Sequence, residues 1–214
     1  MASESSDPPN SDSERIAKYN AAYSAQDDFI HAPNAFLATC LARIRGEGEL
    51  REGAAALDVG IGQGRNALLL ARAGYDTVGI DFSAVGIEAV QREVRRLGVT
   101  NLRAEVADAT KYEFGCERWD VVTLLYYPLP MLIIERLKRA VRPGGHIIME
   151  RFTQKLLEDV GPDAEEGRRI NPMLSSLSDW HLLQYEHDVH QSDWHWKGES
   201  PTGLIVRALA RKPG

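Results

Sequence analysis

The sequence predicts an α/β protein: an open, mostly parallel seven-stranded sheet with helices on both faces and a C-terminal antiparallel hairpin. Three observations predict it. Short apolar runs ended by glycines recur along the chain, the form taken by strands buried on both faces. Between them lie segments whose apolar residues repeat at helical spacing, and alternating strand and helix means parallel pairing through right-handed crossovers. The last two strand-like runs are joined by a connection too short for a crossover helix, which makes that pair antiparallel.

Taken in order, residues 1–14 are rich in Ser, Pro and acidic groups and carry no large apolar side chain beyond the initiator, so a disordered tail is expected. A single domain, 15–214, is expected to follow. Helical spacing from Arg15 to Ala25 and from Asn34 to Arg45 predicts two N-terminal helices, with Pro33 at the start of the second. Residues 15–45 are read as a helical lid, with Tyr19, Tyr23 and Phe29 available to close over a ligand. Ala54 to Ile61 reads as a central strand, Gly64 to Ala73 as a helix stopped by Gly74, and Thr77 to Phe82 as the second strand. Ser83 can cap the next helix, whose stripe is Ile87, Val90, Val94 and Leu97.

Leu102, Ala104 and Val106 alternate with Arg103 and Glu105, as in a strand nearer a sheet edge. Trp119 to Leu125 is a further buried strand. Pro130 can open a helix with apolar positions Ile133, Ile134, Leu137 and Val141, and Pro143-Gly144-Gly145 then turns the chain into the strand His146 to Phe152. Leu183 to Val189 and Gly203 to Ala210 form the hairpin.

With 43% hydrophobic residues in 214, the chain can bury a large single core. Its 25 Lys+Arg against 31 Asp+Glu leave a net charge of −6, which exerts no long-range pull on phosphate backbones, so no nucleic-acid partner is expected. Cys40 and Cys116 fit neither a disulfide framework nor a metal pair. No apolar run approaches the ~18 residues of a membrane helix, and the N-terminus lacks the regions of a secretory signal. A soluble cytoplasmic protein with no membrane partner is expected. His187 and His190, three apart on a strand, point to opposite faces, and no metal site is expected among His181, His187, His190 and His195.

The chemistry is carried by Leu57-Asp58-Val59-Gly60-Ile61-Gly62-Gln63-Gly64, between the first strand and its helix. Glycines there let a ligand approach the backbone, and the helix start offers unpaired N–H groups. Asp81 ends the second strand about 20 residues beyond the loop, where a carboxylate can accept from both hydroxyls of a ribose. A nucleoside-containing cofactor is implied. The dinucleotide fingerprint G-x-G-x-x-G needs a glycine where this chain has Arg65, which argues against NAD.

From Leu57 to Phe152 the chain resembles the class I S-adenosylmethionine-dependent methyltransferases, whose first motif is an acidic residue followed by G-x-G-x-G. The stretch LDVGIGQGRNALLLARAGYDTVGIDFS is similar to the small-molecule branch that includes tellurite-resistance and thiopurine methyltransferases. The resemblance implies a Rossmann-like methyltransferase fold, S-adenosylmethionine as cofactor and a small-molecule methyl acceptor. It implies that Gly60, Gly62 and Gly64 run beneath the methionyl part, Asp58 bonds its ammonium, Asp81 holds the ribose and Phe82 packs on adenine. Asp108, read as ending the third strand, and the Ala109 N–H would meet the adenine edge, and the backbone at Leu124 and Leu125 would complete the ammonium site. Tyr126, Tyr127 and Arg151 follow strand ends where open α/β sheets bind ligands, and are the expected acceptor-side residues. No dedicated catalytic base is identified. A cofactor-binding subunit without turnover and an NAD-dependent reductase are the rival readings.

Overall fold

Ala55–Val59 (β1) is buried along four of its five residues and lies inside a sheet whose other strands are Asp76–Asp81 (β2), Leu102–Val106 (β3), Trp119–Leu125 (β4), Val141–Phe152 (β5), His181–Gln191 (β6) and Thr202–Arg211 (β7). The computed structural model describes residues 12–24, 32–127, 132–153, 172–193 and 202–214. The strand order is β3-β2-β1-β4-β5-β7-β6. β1 pairs in parallel with β2 and β4, as do β2 with β3 and β4 with β5. β7 pairs antiparallel with both β5 and β6, so the expected hairpin closes the sheet.

Helices Asp12–Ser24 (α1), Ala35–Gly46 (α2), Arg65–Arg72 (α3), Ala84–Leu97 (α4), Leu132–Ala140 (α5) and Pro172–Ser176 (α6) accompany the strands. On one face α2 and α3 bury Phe36, Leu37, Cys40, Leu41 and Leu70 against Val121, Ile148 and Leu209. On the other, α5 and α6 bury Ile133, Leu137 and Met173 against Leu57, Val122, Ile147 and Met149. α4 joins α3 over the β3 edge through Ile87, Val90, Leu68 and Leu102. Trp180 is 8% exposed and belongs to the α5–α6 core.

Four differences from the sequence reading have physical causes. α1 starts at Asp12, inside the segment read as a tail, because Asp, Ser and Glu suit a first helical turn as well as they suit a polar tail. Residues 1–11 and 25–31, with Phe29, lie outside the described residues, as do Pro130, Trp194, His195 and Trp196. α2 is a core helix rather than part of a lid, since its apolar stripe is buried on the sheet. Val141 belongs to β5, not to the preceding helix: it pairs with Trp119 before the register shifts and resumes at Val121 with His146. Gly144, at φ +76, lies within the bulge this creates. Asp108 stands past the end of β3 rather than in it.

Candidate functional site

Beyond β1 the chain turns through Gly60, Gly62 and Gly64 at φ 78, 54 and 92, a left-handed region that side chains disfavour. Gly60 N and Ile61 N both donate to Ile80 O, at 2.9 and 3.0 Å, which fixes the loop to β2. Gly62 N donates to Asp81 Oδ2 and Ser83 N to Asp81 Oδ1, both at 2.9 Å. Asp81 is 4% exposed, and burial pushes its carboxyl above the usual range against the pull of those amides. Thus the carboxylate predicted to face a ribose also laces the glycine loop to the start of α4. Ser83 caps that helix by accepting from Gly86 N at 3.1 Å, as expected, and its hydroxyl donates to Asn20 Oδ1 of α1 at 2.6 Å.

Asp58, 2% exposed, lies two residues before Gly60, where the loop begins to turn. Thr123 Oγ1 donates to its Oδ1 at 2.6 Å, while its Oδ2 is buried with no hydrogen-bond partner among the described residues. Burial raises its pKa to about 6, opposed by the Thr123 bond and the charge of Arg65 and reinforced by Asp81. A half-satisfied, desolvated carboxylate is costly unless a cation or donor meets it.

An aromatic layer covers the loop. A Cβ built on Gly60 would fall 2.2 Å from Tyr127 Cδ2, and one on Gly62 would fall 3.0 Å from the Tyr23 hydroxyl. Tyr19 meets Phe82 edge-on at 5.3 Å and Tyr23 at 6.1 Å, Phe82 meets Tyr127 at 6.4 Å, and the Arg15 guanidinium lies 5.5 Å over the Phe82 ring. Burial first, then the Asp81 charge, pushes the phenols of Tyr19, Tyr23 and Tyr127 up, so all three stay protonated at neutral pH.

The remaining predicted residues divide. Leu124 and Leu125 end β4, where Leu124 pairs with Val59. Ala109 is buried beside the same end of the sheet, and the Asp108 carboxylate accepts from Thr110 N and Oγ1 and pairs with Lys111 at 3.1 Å. Tyr127 lies on Gly60, but Tyr126, a non-glycine residue at φ 57, turns the other way and packs on Phe152 at 5.6 Å. Burial and the neighbouring Glu150 carboxylate push its phenol up. Arg151 is 8% exposed and shares by alternation the Ile147 and Met149 face of β5, opposite Glu150. No cluster of His, Cys, Asp and Glu able to hold a metal occurs among the described residues.

Sequence reasoning missed a buried polar network beside the loop. Glu150, 0% exposed, accepts from Arg207 Nε at 2.6 Å and from Asn34 Nδ2 at 2.8 Å, and Arg207 reaches Glu186 at 3.2 Å. The sequence signal that could have pointed to it is an asparagine at the start of a helical run: Asn34 caps α2, its Oδ1 accepting from Leu37 N at 2.8 Å.

Glycine loop, buried acid and second acid at the end of β2 lie together at the carboxyl ends of the strands, where open α/β sheets bind ligands. A family model described as a methyltransferase domain matches residues 56–145. A ubiquinone biosynthesis O-methyltransferase of Acinetobacter baylyi is 30% identical over 170 residues, 72% of this chain and 68% of that protein. An S-adenosylmethionine-dependent methyltransferase of Methanosarcina mazei shares the fold at TM-score 0.59 and 19% identity, over 77% of this chain and 94% of that one. TehB of Haemophilus influenzae does so at 0.60 and 19%, over 80% and 62%. The chain belongs to the class I S-adenosylmethionine-dependent methyltransferases, and the cofactor of that family is S-adenosylmethionine. It spans 54% and 64% of the lengths of two other curated relatives that it matches.

Proposed function

We propose that this chain transfers the methyl group of S-adenosylmethionine to a small-molecule acceptor by in-line displacement. The observation that carries the reading is Asp58 Oδ2, a buried carboxylate oxygen beside a glycine loop with no hydrogen-bond partner among the described residues. Such an oxygen fits the ammonium of a methionyl group, so the residues present suit the cofactor.

Asp58 would accept from that ammonium, with the backbone at Leu124 and Leu125 completing the site. The methionyl chain would run along Gly60 and Gly62 in place of the Tyr127 and Tyr23 rings that cover them, while Gly64 packs closely on Val90 of α4. Asp81, whose two oxygens each keep a further lone pair beyond the Gly62 and Ser83 amides, would hold the ribose hydroxyls. Phe82 would lie on adenine, with Asp108 and the Ala109 N–H at its edge. The bound sulfonium supplies an activated methyl group, so the chain's work is alignment, which can contribute ~7 to 11 kcal/mol in favourable cases.

Tyr127 and the α1 tyrosines line the loop with apolar faces and polar tips, suited to a compact, partly apolar acceptor presenting oxygen or sulfur. The relatives named as O-methyltransferases of ubiquinone biosynthesis support an oxygen nucleophile. The net charge of −6 supports a small acceptor over nucleic acid. Cys40 and Cys116, both free thiols, support a reducing, cytoplasmic setting.

The test is tritiated methyl transfer from S-adenosylmethionine to small phenols, thiols and chalcogen anions, beside DNA, RNA and protein, with Asp58→Asn as control. Label is expected in a small acceptor and absent with Asp58→Asn. Label chiefly in nucleic acid or protein sinks the small-molecule reading. Titration with NADH tests the reductase alternative, which predicts binding where this reading predicts none.

A further inference from the structure

Arg65 is the residue that sets this loop apart from a dinucleotide fingerprint, and its side chain is 12% exposed. Its guanidinium donates to Asp193 Oδ1 at 2.8 Å, to Asp193 O at 2.9 Å and to Ala32 O at 3.2 Å. Asp193 follows the end of β6, and Ala32 precedes α2. Those two segments are also tied to each other: Asp193 Oδ1 accepts from Asn34 Nδ2 at 3.1 Å and Oδ2 from Ala35 N at 2.9 Å. Asn34 N in turn donates to Asn66 Oδ1, next to Arg65, at 2.9 Å. The approach to α2 and the end of β6 therefore close together on the first turn of α3, the helix that begins at Gly64.

We propose that Arg65 is a positioning residue that transmits ligand binding at Gly60 to Gly64 to the segment ahead of α2 and to the end of β6. The proposal rests on the cofactor reading above. Arg65 acts through Asp193 and Asn34. A planar guanidinium can hold a carboxylate and two backbone carbonyls in fixed directions at once, which a lysine ammonium on a flexible stem does not reproduce. Because the loop runs straight into α3, ordering the loop orders the fork, and the fork orders both segments. The Arg65 charge also favours ionised Asp58, as do Thr123 from β4 and the Ala67 amide from α3, while Asp81 from β2 opposes it.

The experiment uses the full chain, S-adenosylhomocysteine as probe, and the variants Arg65→Ala, Arg65→Lys and Asp193→Asn. Amide exchange is followed at Asn34 and Ala35, and binding is measured by calorimetry across pH. In the parent, the probe is expected to slow exchange at both amides by about tenfold, within the usual range of site-to-site coupling. In Arg65→Ala and Asp193→Asn the probe still binds but the slowing is lost, and Arg65→Lys restores part of it. The acid limb of binding moves to higher pH in Arg65→Ala, returns towards the parent in Arg65→Lys and stays in place in Asp193→Asn, a pattern that loss of packing alone does not give. Parent-like slowing in Arg65→Ala overturns the proposal; should that variant not fold, parent-like slowing in Asp193→Asn overturns it. A parent that does not bind the probe refutes the cofactor reading, and this inference with it.

Discussion

Asp58 holds one oxygen in a hydrogen bond while the other meets no partner among the described residues, and this imbalance has consequences for both stability and binding. Its pKa is raised to about 6 by burial. Between the unfolded carboxyl range and that value, the folded chain keeps a proton that the unfolded chain has released, so the stability of the free protein falls as pH rises through the window. The loss at this site is about 2–3 kcal/mol by pH 7. Binding runs in the opposite sense, because the ligand's ammonium needs the carboxylate. Affinity for S-adenosylhomocysteine is expected to weaken below about pH 6, by up to about tenfold per pH unit. The rise in melting temperature on adding that ligand is therefore expected to be larger at pH 7 than at pH 5, and Asp58→Asn should abolish the difference. A ligand-induced rise independent of pH would contradict it. Asp58, Asp81 and the glycines were legible in the sequence because acid, loop and second acid stand in a spacing that backbone geometry dictates. That Asp81 also fastens Gly62 and Ser83 was not, since both contacts depend on how the loop closes.

At the scale of elements, β4 could be read to the residue as Trp119–Leu125, since burial on both faces leaves an apolar run interrupted only by Asp120 and Thr123. The boundary between α5 and β5 could not: Val141 continues the helical spacing after Leu137, and period alone does not tell a helix's last turn from a strand's first residue. α1, with 13 residues, is marginal by itself and stays in place through its docking on Phe82, Ser83 and the loop. Gly86 makes that docking close. A Cβ there would fall 2.8 Å from Gly62 O and 3.2 Å from the Tyr23 ring. Helix propensity favours alanine over glycine by about 1 kcal/mol, yet Gly86→Ala is expected to destabilise by roughly 1–3 kcal/mol, because overpacking against backbone cannot relax cheaply. Thermal unfolding and S-adenosylhomocysteine titration check this: a lower melting temperature with weaker binding is expected, and a stabilised variant with parent affinity would refute the contact.

Across the whole molecule, the pair of buried Glu150 and half-buried Arg207 joins β5 to β7 beside the cap of α2. Its partners lie far apart in the chain and no local period announces them, which is why the network was invisible in the sequence while the strands that carry it were not. Arg207→Met leaves Glu150 buried without its cation, and the expected cost is ~3–5 kcal/mol. Glu150→Gln in the same chain should recover part of that loss, as denaturant unfolding would show; no recovery would mean that Arg207 stabilises through its packing on Phe36, 5.6 Å away.

The strand order also fixes a timetable. Among the described strands β7 follows the other six in the chain, yet it lies between β5 and β6, with Ile205, Val206, Ala208, Leu209 and Ala210 fully buried. While the chain is still on the ribosome, β5 ends the growing sheet with an open hydrogen-bonding edge, and β6 has no neighbour to pair with. Both gain that partner in one step when residues 202–211 emerge, so until then the nascent chain carries β5 and β6 without it and depends on that insertion to join them.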